Sequence, residues 1–202
     1  MSNAVTNILT INGTEEQVAQ VRNYIKGSNG ESISFESIFP MPKRLKGKRM
    51  VKVKGENLPS GSEKPLTIPD WMDWRFKWWG THEDADPIQD DVVDTPNRII
   101  FNTPSTTPLN VMIILSVLFP EVTFNVIFCD ENENFFCGEY TLFGGKVDNM
   151  VWYDALASKH IDISTNQKME YYFRTHEYAR DEWKKDEDGK WVHICEEEEN
   201  EE

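Results

Sequence analysis

Cysteine is scarce in this chain. Three occur in 202 residues, Cys129, Cys137 and Cys195, and none form a Cys-x-x-Cys pair. So sparse and odd a set is typical of a reducing compartment and argues against a disulfide-stapled or zinc-ribbon domain. Long apolar runs are also lacking. The best, Val111 to Phe119, is about half the roughly 20 residues a helical bilayer crossing needs, so no membrane association is expected. The opening residues, MSNAVTN, have neither the basic start nor the apolar stretch of a secretory signal, and the expected location is the cytoplasm. Positive charge is the third shortage. Against 35 Asp and Glu stand 21 Lys and Arg, a formal net charge of -14. Such a surface repels nucleic acid and anionic membranes over most of its area.

Enzymatic signatures are missing too. No Gly-x-Ser-x-Gly elbow or Walker loop occurs, and His82, His160, His176 and His193 show no His-x-x-x-His spacing. The sequence therefore points to no metal and no cofactor.

The chain does have material for a core, with 39% hydrophobic and 12% aromatic residues. Ala4 to Ile11 reads as a strand. Thr14 and Gln17 form a capping box that starts a helix through Val18, Val21, Tyr24 and Ile25, with Gly27 placed to end it. Ile33 to Phe39 alternates with period two, as a half-buried strand does, and Pro40 and Pro42 stop it. Arg98 to Asn102 predicts a strand. Thr107 is placed to cap a buried helix over Leu109 to Phe119, with Pro108 at its first position. Thr123 to Cys129 and Phe135 to Leu142 predict strands joined by a polar turn. That turn sets Cys129 opposite Cys137 as buried structural thiols.

The residues between Pro40 and about 96 differ in composition. Lys43 to Lys54 is basic, Leu58 to Pro69 is rich in Pro, Gly and Ser, and Asp70 to Trp79 carries four tryptophans. A short helix is predicted at Pro69 to Trp78, and Asp84 to Asp94 is acidic. Past Gly145, Asn149 to Ser158 and Asn166 to Asp181 read as helical. Asp188-Gly189 between Trp183 and Trp191 is a strong hairpin signal. Glu196 onward, EEEENEE, is expected to be a solvated, disordered tail.

Taken in order, these elements predict an α+β protein with a ferredoxin-like βαββαβ sandwich, its helices on one face of an antiparallel sheet. The expected organisation is a core at 1–145 with an insertion at about 40–96 between the second and third strands. A helix and hairpin extension at 146–195 packs on it, and 196–202 form the tail.

Several short motifs recur in a familiar succession: the Val5-Thr6-Asn7 strand, Phe39-Pro40-Met41-Pro42, Trp79-Gly80-Thr81, Ile100 to Pro104, Leu115 to Pro120, and Phe136-Cys137-Gly138-Glu139. Over about Ala4 to Gly145 this resembles the YubB ferredoxin-like domain family of plasmid- and phage-encoded proteins. The resemblance implies a fold and a setting in mobile elements. It brings no established activity. Two positions depart from the family pattern. His82-Glu83-Asp84 stands where the family often has Lys-Trp-Asp, and Pro104 to Pro108 lacks an aromatic.

Three surfaces are candidates. Trp71, Trp74, Trp78 and Trp79, with Thr81, Asp84 and Asp86, would line a binding groove in the insertion. Metal binding or acid–base work by His82 and Asp84 is disfavoured, because neighbouring side chains do not converge on one point without an unusual loop. Lys46, Lys48 and Arg49 lie in a basic stretch that could contact phosphates, but the aromatic strand pattern of RNA-binding ferredoxin-like domains is absent. Asp84, Asp86, Asp90, Asp91 and Asp94 could imitate nucleic-acid phosphates. The expectation is a non-catalytic accessory protein that binds a host macromolecule, most simply a protein, possessing no cofactor. An enzyme with its site in Trp71 to Asp94, or a nucleic-acid-binding module, are the alternatives.

Overall fold

The computed structural model describes residues 3–47, 49–53, 66–88, 95–131, 136–154 and 165–194. It is a mixed α and β structure built on an antiparallel sheet, with five α-helices among the described residues. The sheet has six strands: β4 (Asp86–Pro87), β5 (Arg98–Pro104), β1 (Ala4–Asn12), β6 (Thr123–Asp130), β7 (Phe136–Phe143) and β8 (Lys146–Asp154), in that spatial order. No helix among the described residues is long and apolar enough to cross a membrane.

β1 lies at the centre, paired with β5 (Leu9 opposite Ile99) and with β6 (Leu9 opposite Val126). Its odd-numbered residues share one face with Ile99, Phe101, Phe124, Val126, Phe128, Tyr140 and Leu142. Onto this face pack α1 (Glu15–Ile25), through Val18, Val21 and Ile25, and α4 (Leu109–Leu118), through Val111, Met112 and Leu115. The α1 capping box forms as predicted: Gln17 N–H donates to Thr14 Oγ1 at 3.2 Å and Thr14 N–H to Gln17 Oε1 at 2.8 Å.

Four expectations are corrected. Ile33 to Phe39 is not a strand. Its centre is one helical turn, α2 (Phe35–Ile38). A strand would send Phe35 and Ile38 to opposite faces, whereas a helix brings residues three apart together and buries both. Thr107 does not cap α4. Its hydroxyl meets Tyr140 Oη at 3.1 Å, and Pro108 is the N-cap residue with no side-chain cap. Residues 149–154, expected to be helical, belong to β8, and 155–158 lie outside the described residues. The missed signal is Gly144-Gly145, a two-residue hairpin loop whose positive φ values of 56° and 77° suit glycine. The predicted helix at Asn166 to Asp181 stops early: α5 (Thr165–Thr175) is followed by a 3₁₀ segment, Glu177–Glu182.

The helices also do not all lie on one face. α5 packs on the opposite side of the sheet, over β6 and β7. There Cys129 and Cys137, directly opposed across the strands, join Met169, Tyr172 and Phe173 in a second cluster. The Asp188-Gly189 hairpin forms as expected from β9 (Trp183–Lys185) and β10 (Trp191–His193), and both tryptophans pack against this cluster.

The 40–96 insertion is structured where it is described. A 3₁₀ turn, Lys43–Leu45, leads to a separate two-stranded ribbon of β2 (Met50–Val53) and β3 (Leu66–Pro69). α3 (Asp70–Trp79) follows directly.

Candidate functional site: a groove beside helix α3

Most of the residues expected to form a binding site are structural. Trp79 is fully buried, and its indole Nε1–H donates to Phe39 O at 2.8 Å. Its ring packs edge-on to Phe35 at 5.8 Å. Gly80 ends α3 in the left-handed conformation (φ 87°), and its N–H closes on Arg75 O and Phe76 O. Asn110 and Leu109 backbone nitrogens lie within 3.3 Å of where a side chain would begin, so α3 meets α4 through this glycine. Thr81 is buried, its hydroxyl donating to Pro104 O at 3.3 Å.

Asp84 is the brace of α2. Its Oδ2 accepts Ser34 Oγ–H at 2.8 Å and Glu36 N–H at 3.5 Å, and its Oδ1 accepts the N–H groups of Phe35 and Ala85. The carboxylate thus serves exposed donors at the start of a helix fifty residues away, which explains why 33–39 turns instead of extending. Asp86 is exposed in β4, opposite Asn102. His82 tilts against Phe76 at 5.2 Å and lies 3.7 Å from Glu83, well away from any role with Asp84. Among the described residues no three His, Cys, Asp or Glu side chains gather as a metal site.

What remains is a cavity of about 340 Å³ lined by Glu36, Met41, Lys46, Trp71 and Arg75. Three segments build it. α2 supplies Glu36, whose Oε2 accepts Met41 N–H at 2.6 Å and so fixes the Pro-Met-Pro corner. The chain just past the 3₁₀ turn supplies the exposed Lys46. α3 supplies Trp71 and Arg75, four residues apart and therefore on one helix face.

Arg75 is held between two indoles, its guanidinium carbon 5.2 Å from the Trp71 ring centre and 4.6 Å from that of Trp79. It donates Nη1–H to His82 O at 3.2 Å, while its Nε is buried without an acceptor. No carboxylate among the described residues forms an ion pair with Arg75 or with Lys46. The guanidinium is positioned by rings and one carbonyl, and its charge is left uncompensated. Beside the groove, Trp74 stacks on Phe39 with the ring planes 3° apart, and Trp78 is 37% exposed.

Two surfaces kept separate in the sequence therefore meet. Lys46 of the basic stretch and Trp71 of the tryptophan helix line the same wall. Between Met41 and Val53 the described residues carry five cations, Lys43, Arg44, Lys46, Arg49 and Lys52, and no acid. Arg49 is exposed, with its carbonyl accepting Asp70 N–H at 2.8 Å. Lys48, Asp90, Asp91 and Asp94 lie outside the described residues. Glu36, Met41 and Arg75 were missed by sequence reasoning. Arg75 was accessible to it as the fourth residue after Trp71, whereas the other two owe their place to α2.

A larger depression, about 700 Å³, lies between the end of β1, α1 and Pro96-Asn97. Arg22 and Glu15, of opposite charge, both line it, and the segment beside it, 89–94, is outside the described residues. The groove at α3 is the better-defined site.

Perturbed ionisation lies on the opposite face of the sheet. Burial lowers the pKa of His176, which is stacked on Tyr172 at 4.6 Å with Nε2 3.3 Å from Thr6 Oγ1. The neighbouring Cys137 thiol and burial raise that of Cys129. Burial and the Glu139 carboxylate push the Tyr171 phenol up to about 12. These groups pack the second cluster and do not converge on an open cavity. Compared with known proteins, the chain matches no family model, no curated protein and no solved structure.

Proposed function

We propose that this chain is a non-catalytic binding protein that docks a protein partner on the groove of Glu36, Met41, Lys46, Trp71 and Arg75. The observation that carries this reading is the uncompensated Arg75 guanidinium, held rigid between Trp71 and Trp79 on the wall of an open cavity. Aromatic and arginine side chains in pre-organised, partly desolvated pockets are the usual anchors of protein interfaces. The same groove places the acid most suited to catalysis elsewhere, since Asp84 is spent on the backbone of α2. That internal role also weakens mimicry of nucleic acid by the 84–94 acids.

The fold reading that accompanies this is a ferredoxin-like sandwich with a reduced second strand. The order β5-β1-β6, with α1 and α4 on one face, supports it, and the two-residue β4 occupies the edge beside β5. The motif resemblance to the YubB family places such a protein on a bacterial mobile element, where the partner is a cytoplasmic host protein, a defence component foremost.

Affinity capture from bacterial host lysate tests the proposal, with the wild-type chain and a Trp71→Ala, Lys46→Glu variant as parallel baits. A protein retained by the wild type and lost by a folded variant is expected. Recovery of nucleic acid alone, or equal retention by both baits, would sink it.

A further inference from the structure

We infer that the groove recognises an acidic segment of a protein chain, an inference that rests on the binding role proposed above. The first argument is charge. Lys46 and Arg75 face the cavity without carboxylate partners among the described residues, and Lys43, Arg44, Arg49 and Lys52 extend the same sign along the adjoining chain. The whole molecule carries -14, so this cationic island is an exception on an acidic protein. A complementary ligand therefore carries negative charge over the island and little beyond it.

That restriction separates two kinds of polyanion. A nucleic-acid strand bears a phosphate at every nucleotide, and those beyond the island meet the acidic remainder within a Debye length of roughly 8 Å. A protein segment can confine its carboxylates to a few positions. The second argument is hydrogen bonding. Glu36 commits Oε2 to Met41 N–H and keeps Oε1 for another donor at the groove. A peptide backbone offers N–H donors there, whereas a phosphate backbone offers only acceptors and repels the carboxylate. The third argument is shape. A cavity of about 340 Å³, flanked by the indoles of Trp71 and the half-exposed Trp78, takes one or two side chains. A carboxylate on the guanidinium with an aromatic or aliphatic neighbour on the indoles fits it. Arg75 cannot swing to follow a ligand, because its rings and the His82 carbonyl fix the plane. Such fixed forks favour carboxylate geometry over a diffuse charge.

Isothermal titration of the full chain with three probes tests this. The first is an eight-residue peptide alternating glutamate with tyrosine and serine. The second is the same peptide with glutamine for every glutamate, and the third is a ten-nucleotide oligothymidylate. The acidic peptide should bind at least about tenfold tighter than its glutamine form, and raising salt should weaken it several-fold. Lys46→Glu, an exposed change that leaves the core intact, should remove that preference. Equal binding of both peptides, lost in Trp71→Ala, would overturn the acidic assignment and leave the groove as a contact surface. A preference for oligothymidylate, lost in Lys46→Glu, would overturn both this inference and the protein-partner reading. No binding of the acidic peptide at millimolar concentration would overturn the inference alone, because partner capture tests the broader reading separately.

Discussion

Replacing Asp84 with alanine distinguishes a brace from a reactive group. The carboxylate accepts from Ser34 Oγ–H and from the N–H groups of Phe35, Glu36 and Ala85, the Glu36 contact being the longest at 3.5 Å. Hydrogen bonds to a charged group contribute roughly 1.5–3 kcal/mol each, but bonds sharing one acceptor do not add fully, and water reaches a half-buried site. Losing a helix cap alone costs about 1 kcal/mol. A loss of about 2–3 kcal/mol is therefore expected for Asp84→Ala. Asp84→Asn, which keeps one oxygen acceptor, should lose about half as much. For a chain of this size about 1 kcal/mol shifts Tm by roughly 2–4 °C, so the alanine variant should melt roughly 5–10 °C lower. Thermal unfolding followed by circular dichroism, with urea unfolding at 25 °C, gives both quantities. The local signature is faster amide exchange at Phe35 and Glu36. An unchanged melting point with unchanged exchange there, joined to lost binding or activity, would refute the structural role and return Asp84 to the list of functional residues.

Three further outcomes follow from the same geometry. Trp79→Phe keeps most of the buried ring but strands the Phe39 carbonyl, and should cost about 1–3 kcal/mol in urea unfolding, compared with about 3–5 kcal/mol for Trp79→Ala. His176 is held neutral by burial, so its folded pKa lies below its unfolded value of about 6.5. Unfolding then takes up a proton between those two values. Stability from this group is complete above about pH 6.5 and falls as pH drops, and a pH series of urea midpoints should show a slope that His176→Gln flattens. Cys129 and Cys137 are buried and their pair stays protonated on the Cys129 side, so a thiol reagent should label them only at the rate at which α5 opens. Labelling as fast in native as in unfolded protein would show that the second cluster is not packed as described.

What the sequence revealed depended on how local the deciding contact is. The α1 capping box, the β-hairpin at Asp188-Gly189 and the opposition of Cys129 to Cys137 are settled by residues within a few positions or by strand pairing, and all were legible. α3 was legible for the same reason, starting after Pro69 and ending at Gly80. α2 was not. Its alternating pattern is that of a strand, and the deciding carboxylate comes from Asp84, fifty residues on. β8 was misread because weight fell on 149–158 as a whole, when Gly144-Gly145 had already turned the chain back. The site shows the same division. Trp71 and Lys46 were both singled out, yet nothing in their separate stretches says that they share a wall. That follows from the Glu36 to Met41 bond and from the ribbon that delivers the chain to α3. Trp79, Thr81 and Asp84 were singled out by residue type, and tertiary packing gives each of them a structural task.

The central claim is that the partner contacts the groove of α3. Hydrogen–deuterium exchange on the complex with the captured partner tests it most directly. The account predicts new protection in Glu36 to Lys46 and in Asp70 to Trp78, with α5 and the β9–β10 hairpin unchanged. Protection confined to those C-terminal elements, with the groove exchanging as in the free chain, would contradict it.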